Sequence, residues 1–193
     1  MNKQDVTGII LAGGKSSRMG KEKGLMEYAG KSLIRYSIEA LEGICSQIVI
    51  GANSSHFEEL GYPVQKDIFP DIGPMGGIYS CLHRSETEHN LVLPCDTPGI
   101  TSTVMEVLLK ESAGYRIVIP CSKPGLPEPL IGYYHKNNAA GLLSFIKNGK
   151  YRLIDYIETA LVKTIPIYKR ADIFTNGLFI NINAPEDFEN ASG

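Results

Sequence analysis

The sequence predicts an α/β protein, a single domain spanning residues 1–193 and built on a mostly parallel, twisted sheet flanked by helices. Three observations point there. Short apolar, β-branched runs at 8–11, 47–50, 90–94 and 116–120 alternate with segments whose apolar residues recur at helical spacing. The 193 residues, 43% of them hydrophobic, suffice to bury one continuous core. No internal repeat, low-complexity tract or linker divides the chain.

The elements follow in order. Gly8, Ile9, Ile10 and Leu11 read as a buried first strand that breaks into the loop from Ala12 to Gly20. Between 32 and 41, Leu33, Ile34, Ile38 and Leu41 share one helical face, with Gly43 as the stop. Strand 47–50 comes next, then helices near 76–84 and 101–110 on either side of strand 90–94, then strand 116–120. Residues 124–129 hold Pro124, Pro127 and Pro129, which remove donors and restrict the residues before them, so a surface loop is expected. The remaining strands are 130–134, 162–167 and 179–182, some of them antiparallel. Helices are expected at 136–148, 153–161 and, closing the chain, 184–189.

Composition narrows the function. A formal charge of −2 argues against a basic nucleic-acid surface, and the apolar content argues against disorder. Small-molecule chemistry is what remains. Residues 1–5 carry no apolar signal, and no run approaches the roughly 18 apolar residues of a membrane span. A cytoplasmic protein with neither membrane nor nucleic-acid partners is expected. Cys45, Cys81, Cys95 and Cys121 lack C-x-x-C spacing and sit beside apolar residues, as reduced core thiols do. His56, His83, His89 and His135 are scattered, so no transition-metal site is expected.

The chemistry concentrates after the first strand. Gly13 and Gly14 let backbone N–H groups approach an anion without an intruding Cβ, and Arg18 and Lys23 add the charge a polyphosphate needs. A plain strand-to-helix turn would explain the two glycines alone. The loop fits neither the P-loop nor the G-x-G-x-x-G pattern. It does match L-A-G-G-x-S-x-R-M-G with a lysine soon after, as in nucleotidyltransferases that join an NTP to a phosphate-bearing acceptor. Asp96 ends strand 90–94 at a turn. Ligands of open α/β sheets collect beyond the carboxyl ends of strands, so Asp96 is expected to face phosphates. A carboxylate beside a triphosphate requires a hard cation between them, which implies Mg²⁺. The competing role for Asp96 is a helix N-cap before Pro98. Asp67 to Gly77 forms a second glycine-containing turn into a helix, whose N-terminus suits a base or phosphate edge. Asn183, after the last expected strand, has the form of an N-cap, with Pro185 in the first turn.

Taken together, Leu11-Ala12-Gly13-Gly14, Arg18-Met19-Gly20, Gly73-Pro74-Met75-Gly76-Gly77, Pro94-Cys95-Asp96-Thr97-Pro98 and Asn181-Ile182-Asn183-Ala184-Pro185-Glu186-Asp187 resemble the molybdenum cofactor guanylyltransferases over nearly the whole chain. The first motif is common to many nucleotidyltransferases, and the later ones narrow the resemblance to this family. It implies a Rossmann-like nucleotidyltransferase fold, GTP as donor and molybdopterin carrying its metal as acceptor. By position, it implies that Leu11, Ala12, Gly13 and Gly14 bind the nucleotide, Lys23 binds phosphates, Asp67 contacts GTP, and Asp96 binds GTP and Mg²⁺. Asn181 and Asn183 fall near the reaction centre, Asn183 by analogy touching the metal. Two positions depart from the pattern. Glu22-Lys23 replaces a common Asp-Lys, and Gly51 replaces a nucleotide-contacting Asn, leaving Asn53 as the candidate substitute.

The implied reaction joins GMP to the acceptor phosphate with release of pyrophosphate. The nucleophile is already an anion, so no triad is required; alignment and charge neutralisation by Arg18, Lys23 and Asp96 carry the catalysis. Transient contact with molybdenum-insertion proteins or apo-molybdoenzymes is a further expected partnership. Two other functions compete. A cytidylyltransferase on the same pterin would differ only in its base pocket, and a catalytically silent nucleotide-binding module would not need Arg18, Lys23 and Asp96 together.

Overall fold

Strand β1 (Val6–Leu11) is apolar on both faces, with Val6 and Ile10 packing to one side and Ile9 and Leu11 to the other. A strand buried twice needs a helical layer above and below, and that is the setting of a parallel sheet. The computed structural model describes residues 5–13 and 22–183. After β1 come a short hairpin, β2 (Glu27–Tyr28) and β3 (Lys31–Ser32), then α1 (Leu33–Glu42), β4 (Gln47–Gly51), β5 (Val64–Gln65) and α2 (Pro74–Arg84). The second half holds β6 (His89–Pro94), α3 (Ser102–Lys110), β7 (Ile117–Lys123), β8 (Leu126–Pro127), β9 (Gly132–His135), α4 (Asn138–Lys147), α5 (Leu153–Ile157) and β10 (Val162–Pro166).

The sheet order is β10-β7-β9-β6-β1-β4-β5, with β8 paired to β7. Only β8 and β9 run against the rest, so the sheet is mostly parallel, as the sequence predicts. One core joins α1 and α3 to Val6, Ile10, Leu91 and Leu93. The other joins α2, α4 and α5 to Ile9, Leu11 and Val92. From β1 the chain departs towards β4, while from β6 it departs the other way, past β9 to β7. Neighbouring strands whose exits diverge leave a crevice at their carboxyl ends, and that is where this fold can take a ligand.

Three expectations change, and a fourth falls outside the described residues. The helix expected over 153–161 stops at Ile157, because Thr159 turns its hydroxyl back to the Tyr156 carbonyl at 2.8 Å and its backbone N–H bonds the same oxygen. Within 124–129, Gly125 at φ 72° reverses the chain, so Leu126 and Pro127 pair with Lys123 and Cys121 instead of forming only a loop. Residues 179–182 are no strand. Ile182 is fully buried, and its N–H bonds the Asp96 carbonyl at 2.8 Å, so apolar character there serves the docking of an arm. The helix expected at 184–189 lies outside the described residues.

Candidate active site

The ends of three adjacent strands are laced together by backbone bonds just past their ladders. Ala12 N–H donates to the Gly51 carbonyl at 2.9 Å, and Cys95 N–H donates to the Leu11 carbonyl at 3.0 Å. Beyond this lacing opens a cavity of about 490 Å³. Leu11, Ala12 and Gly13 form its floor at the end of β1, Asn53 and Asp67 stand on the β4–β5 side, and Lys23 and Asp96 on the β6 side.

The β6 side is a charged cluster. Lys23 Nζ lies 2.6 Å from Asp96 Oδ2 and 2.6 Å from Asn183 Oδ1. The Lys23 and Asp96 side chains are 14% and 24% exposed, so the pair is partly withdrawn from water yet open to the cavity. Two hard oxygens thus converge on one compact cation. The capping role for Asp96 is excluded, because α3 begins at Ser102 after Thr101 and the Asp96 carboxylate is turned to Lys23.

Asn183 reaches the cluster on the arm that Ile182 docks. Gly99 lets that arm come close. A Cβ there would stand 2.8 Å from the Gly177 carbonyl oxygen and 2.9 Å from that of Leu178, and backbone cannot swing aside. Gly99→Ala is therefore expected to lower stability by about 1–3 kcal/mol and to displace Asn183 from Lys23. Urea denaturation and turnover check this; unchanged values for both would mean that the arm does not need this close approach.

On the opposite side, Asn53 Nδ2 donates to Asp67 Oδ2 at 3.0 Å, and Asp67 N–H donates to Asn53 Oδ1 at 2.9 Å. Burial raises the Asp67 pKa, the Asn53 bond opposes that, and the neighbouring Asp71 carboxylate adds to it. Burial, helped by Asp96, pushes the Cys95 thiol to about 12, and burial with Asp67 does the same to Cys81. Neither sulfur offers a thiolate nucleophile near neutral pH. None of the four cysteines is in a disulfide.

The structure thus gathers Leu11, Ala12, Gly13, Lys23, Asn53, Asp67 and Asp96 around one cavity and brings Asn183 in through Lys23. Asn181 is exposed on the same arm, away from the cavity lining. Gly14, Lys15 and Arg18 lie outside the described residues. Asp71 and Leu130 also line the cavity and were not singled out from the sequence. Asp71 has φ 64°, a conformation aspartate tolerates in turns. Leu130 sits in the break between β8 and β9, just after Pro129, and that proline was the available signal.

The family of MobA-like NTP transferase domains matches residues 8–162. A Flavobacterium johnsoniae protein named probable molybdenum cofactor guanylyltransferase is 38% identical over 154 residues, covering 80% of this chain and 81% of its own. A Carboxydothermus hydrogenoformans protein of the same name is 32% identical over 187 residues, 96% of this chain and 94% of its own. Among solved structures, molybdopterin-guanine dinucleotide biosynthesis protein A from Archaeoglobus fulgidus aligns with a TM-score of 0.79 at 28% identity, over 96% of each chain.

Proposed function

The chain belongs to the MobA-like NTP transferase family, and on that premise we propose that it transfers GMP from GTP to the phosphate of molybdenum-charged molybdopterin. Pyrophosphate leaves, and molybdopterin guanine dinucleotide forms. The observation that carries this is the convergence of Asp96 and Asn183 on Lys23 beside the Gly13 turn. The test is incubation with molybdate-loaded molybdopterin, Mg²⁺ and each of the four NTPs, followed by mass spectrometry. The expected product is the GMP-linked pterin; a CMP-linked product would overturn the guanylyl assignment.

In the reaction, a terminal phosphate oxygen of the acceptor forms a bond to the α-phosphorus of GTP in line with the departing pyrophosphate, whose α–β bridge breaks. The attacking oxygen is already ionised, so the protein supplies alignment and charge instead of a base. Gly13 and Gly14 cradle the phosphates, and Lys23 with Arg18 neutralises charge growing on the leaving group. Mg²⁺ suits one or two carboxylates completed by phosphate oxygens and water. Asp96 and Asn183 fit that demand, since both oxygens already face a hard cation. Among the described residues no group of three or more His, Cys, Asp or Glu forms a metal cage of its own. When bound there, Mg²⁺ supplies charge neutralisation and polarises the α-phosphate.

In this reading residues 1–193 act as one nucleotidyltransferase domain, and the product passes onward by transient contact with molybdenum-insertion proteins or apo-molybdoenzymes. The compartment we propose is the cytoplasm; among the described residues no helix is long and apolar enough to cross a membrane. Guanine presents N1–H and N2–H₂ donors beside its O6 acceptor, and Asp67 is the carboxylate suited to that donor edge. Leaving such a polar group unpaired costs about 1–3 kcal/mol, so GTP is expected to exceed CTP by at least about tenfold in kcat/KM. Asp67→Ala should narrow the gap. Because acceptance requires the ionised carboxylate, the preference should also fall as pH drops through the raised pKa of Asp67.

A further inference from the structure

We propose that Asn53 is a positioning residue, setting guanine selectivity by holding the Asp67 carboxylate in place without reading the base itself. The proposal rests on the guanylyl reading above. A side-chain amide has one carbonyl and one NH₂, and here both ends are spent on a single residue: Nδ2 donates to Asp67 Oδ2 at 3.0 Å, while Oδ1 accepts the Asp67 N–H at 2.9 Å. Two bonds to one residue, one on its side chain and one on its backbone, fix both the chain path and the carboxylate rotor.

The surroundings show why a clamp is needed. β5 is an edge strand of two residues, paired with β4 only at Ile50↔Val64 and Gly51↔Gln65. Past it, Ala52 N–H reaches the Gln65 carbonyl at 3.1 Å, and the chain continues to Asp67 without a ladder. On the far side, Ile68 N–H is held by Ser80 Oγ at 2.8 Å. Asn53 closes the near side, so Asp67 is pinned between β4 and α2. The other carboxylate oxygen lies over the first turn of α2, where a Cβ on Gly77 would stand 3.5 Å from Asp67 Oδ1. Asp67 and Gly77 both face the cavity. A carboxylate fixed in advance loses less freedom when it accepts a base edge, and that saving appears as selectivity.

The experiment compares GTP with inosine triphosphate, which lacks the 2-amino donor, by titration calorimetry with Mg²⁺ on the full chain. Wild type is expected to favour GTP by about tenfold. Asn53→Ala should bring the two nucleotides to within about twofold of each other, and Asn53→Ser, which cannot reproduce both bonds, should do the same. Added to Asp67→Ala, either change should leave the ratio where Asp67→Ala puts it, because Asn53 acts through Asp67. Equal weakening of both nucleotides by Asn53→Ala would reduce Asn53 to a structural role and overturn the proposal. A further fall of the ratio on the Asp67→Ala background would show direct base contact and overturn it as well. A wild-type preference for CTP in a parallel titration marks failure of the guanylyl reading, whereas a GTP preference over inosine triphosphate untouched by Asn53→Ala marks failure of the clamp alone.

Discussion

Asp96→Asn is expected to fold as the wild type does and to lose guanylyl transfer by a factor of about 10²–10³. The substitution keeps the shape of the side chain and the backbone carbonyl that accepts Ile182 N–H at 2.8 Å, so the arm carrying Asn183 still docks. No helix cap is lost, since α3 starts beyond Thr101. What disappears is the negative charge facing Lys23 and, in the reading proposed here, Mg²⁺. Thermal melting and turnover separate the two effects. Turnover within about threefold of wild type, only ~0.6 kcal/mol in barrier, would remove Asp96 from the reaction centre.

Lys23→Ala should be comparably severe, at about 2–4 kcal/mol or roughly thirty- to a thousandfold in turnover. Its ammonium is 2.6 Å from both Asp96 and Asn183, so its loss removes the cation facing the carboxylate and one of the bonds that hold the arm. Arg18→Ala is expected to weaken triphosphate use to a similar degree, and Lys15→Ala much less. Normal kcat and KM in both the Lys23 and Arg18 variants would sink the phosphate clamp.

The strands were legible because their periodicity is simple: β1 and β6 are apolar on both faces, and only a doubly covered sheet has use for that. Helix α1 and its stop at Gly43 were legible for the same reason. Asp67, Asp96 and Lys23 could be named from motifs, but their partners could not. The Asn53–Asp67 clamp depends on two short strands aligning at the sheet edge, and the Lys23–Asn183 bond on an arm crossing to β6, and neither follows from local pattern. Residues 179–182 misled because a buried arm and a buried strand demand the same apolar side chains. Leu130 escaped notice because a lone leucine in a proline-rich stretch carries no chemistry until β8 and β9 part around it.

Lys23 bonds a residue 73 positions ahead and another 160 positions ahead. Contacts of such sequence separation close large loops and form slowly compared with local helices and hairpins. During refolding from denaturant, the circular dichroism of helices and sheet should recover before catalytic competence does, because Asn183 arrives only once the arm has docked past Gly99. The lag between the two signals times the assembly of the active site, and a chain cut between β10 and the arm would keep its sheet while never reaching that final step.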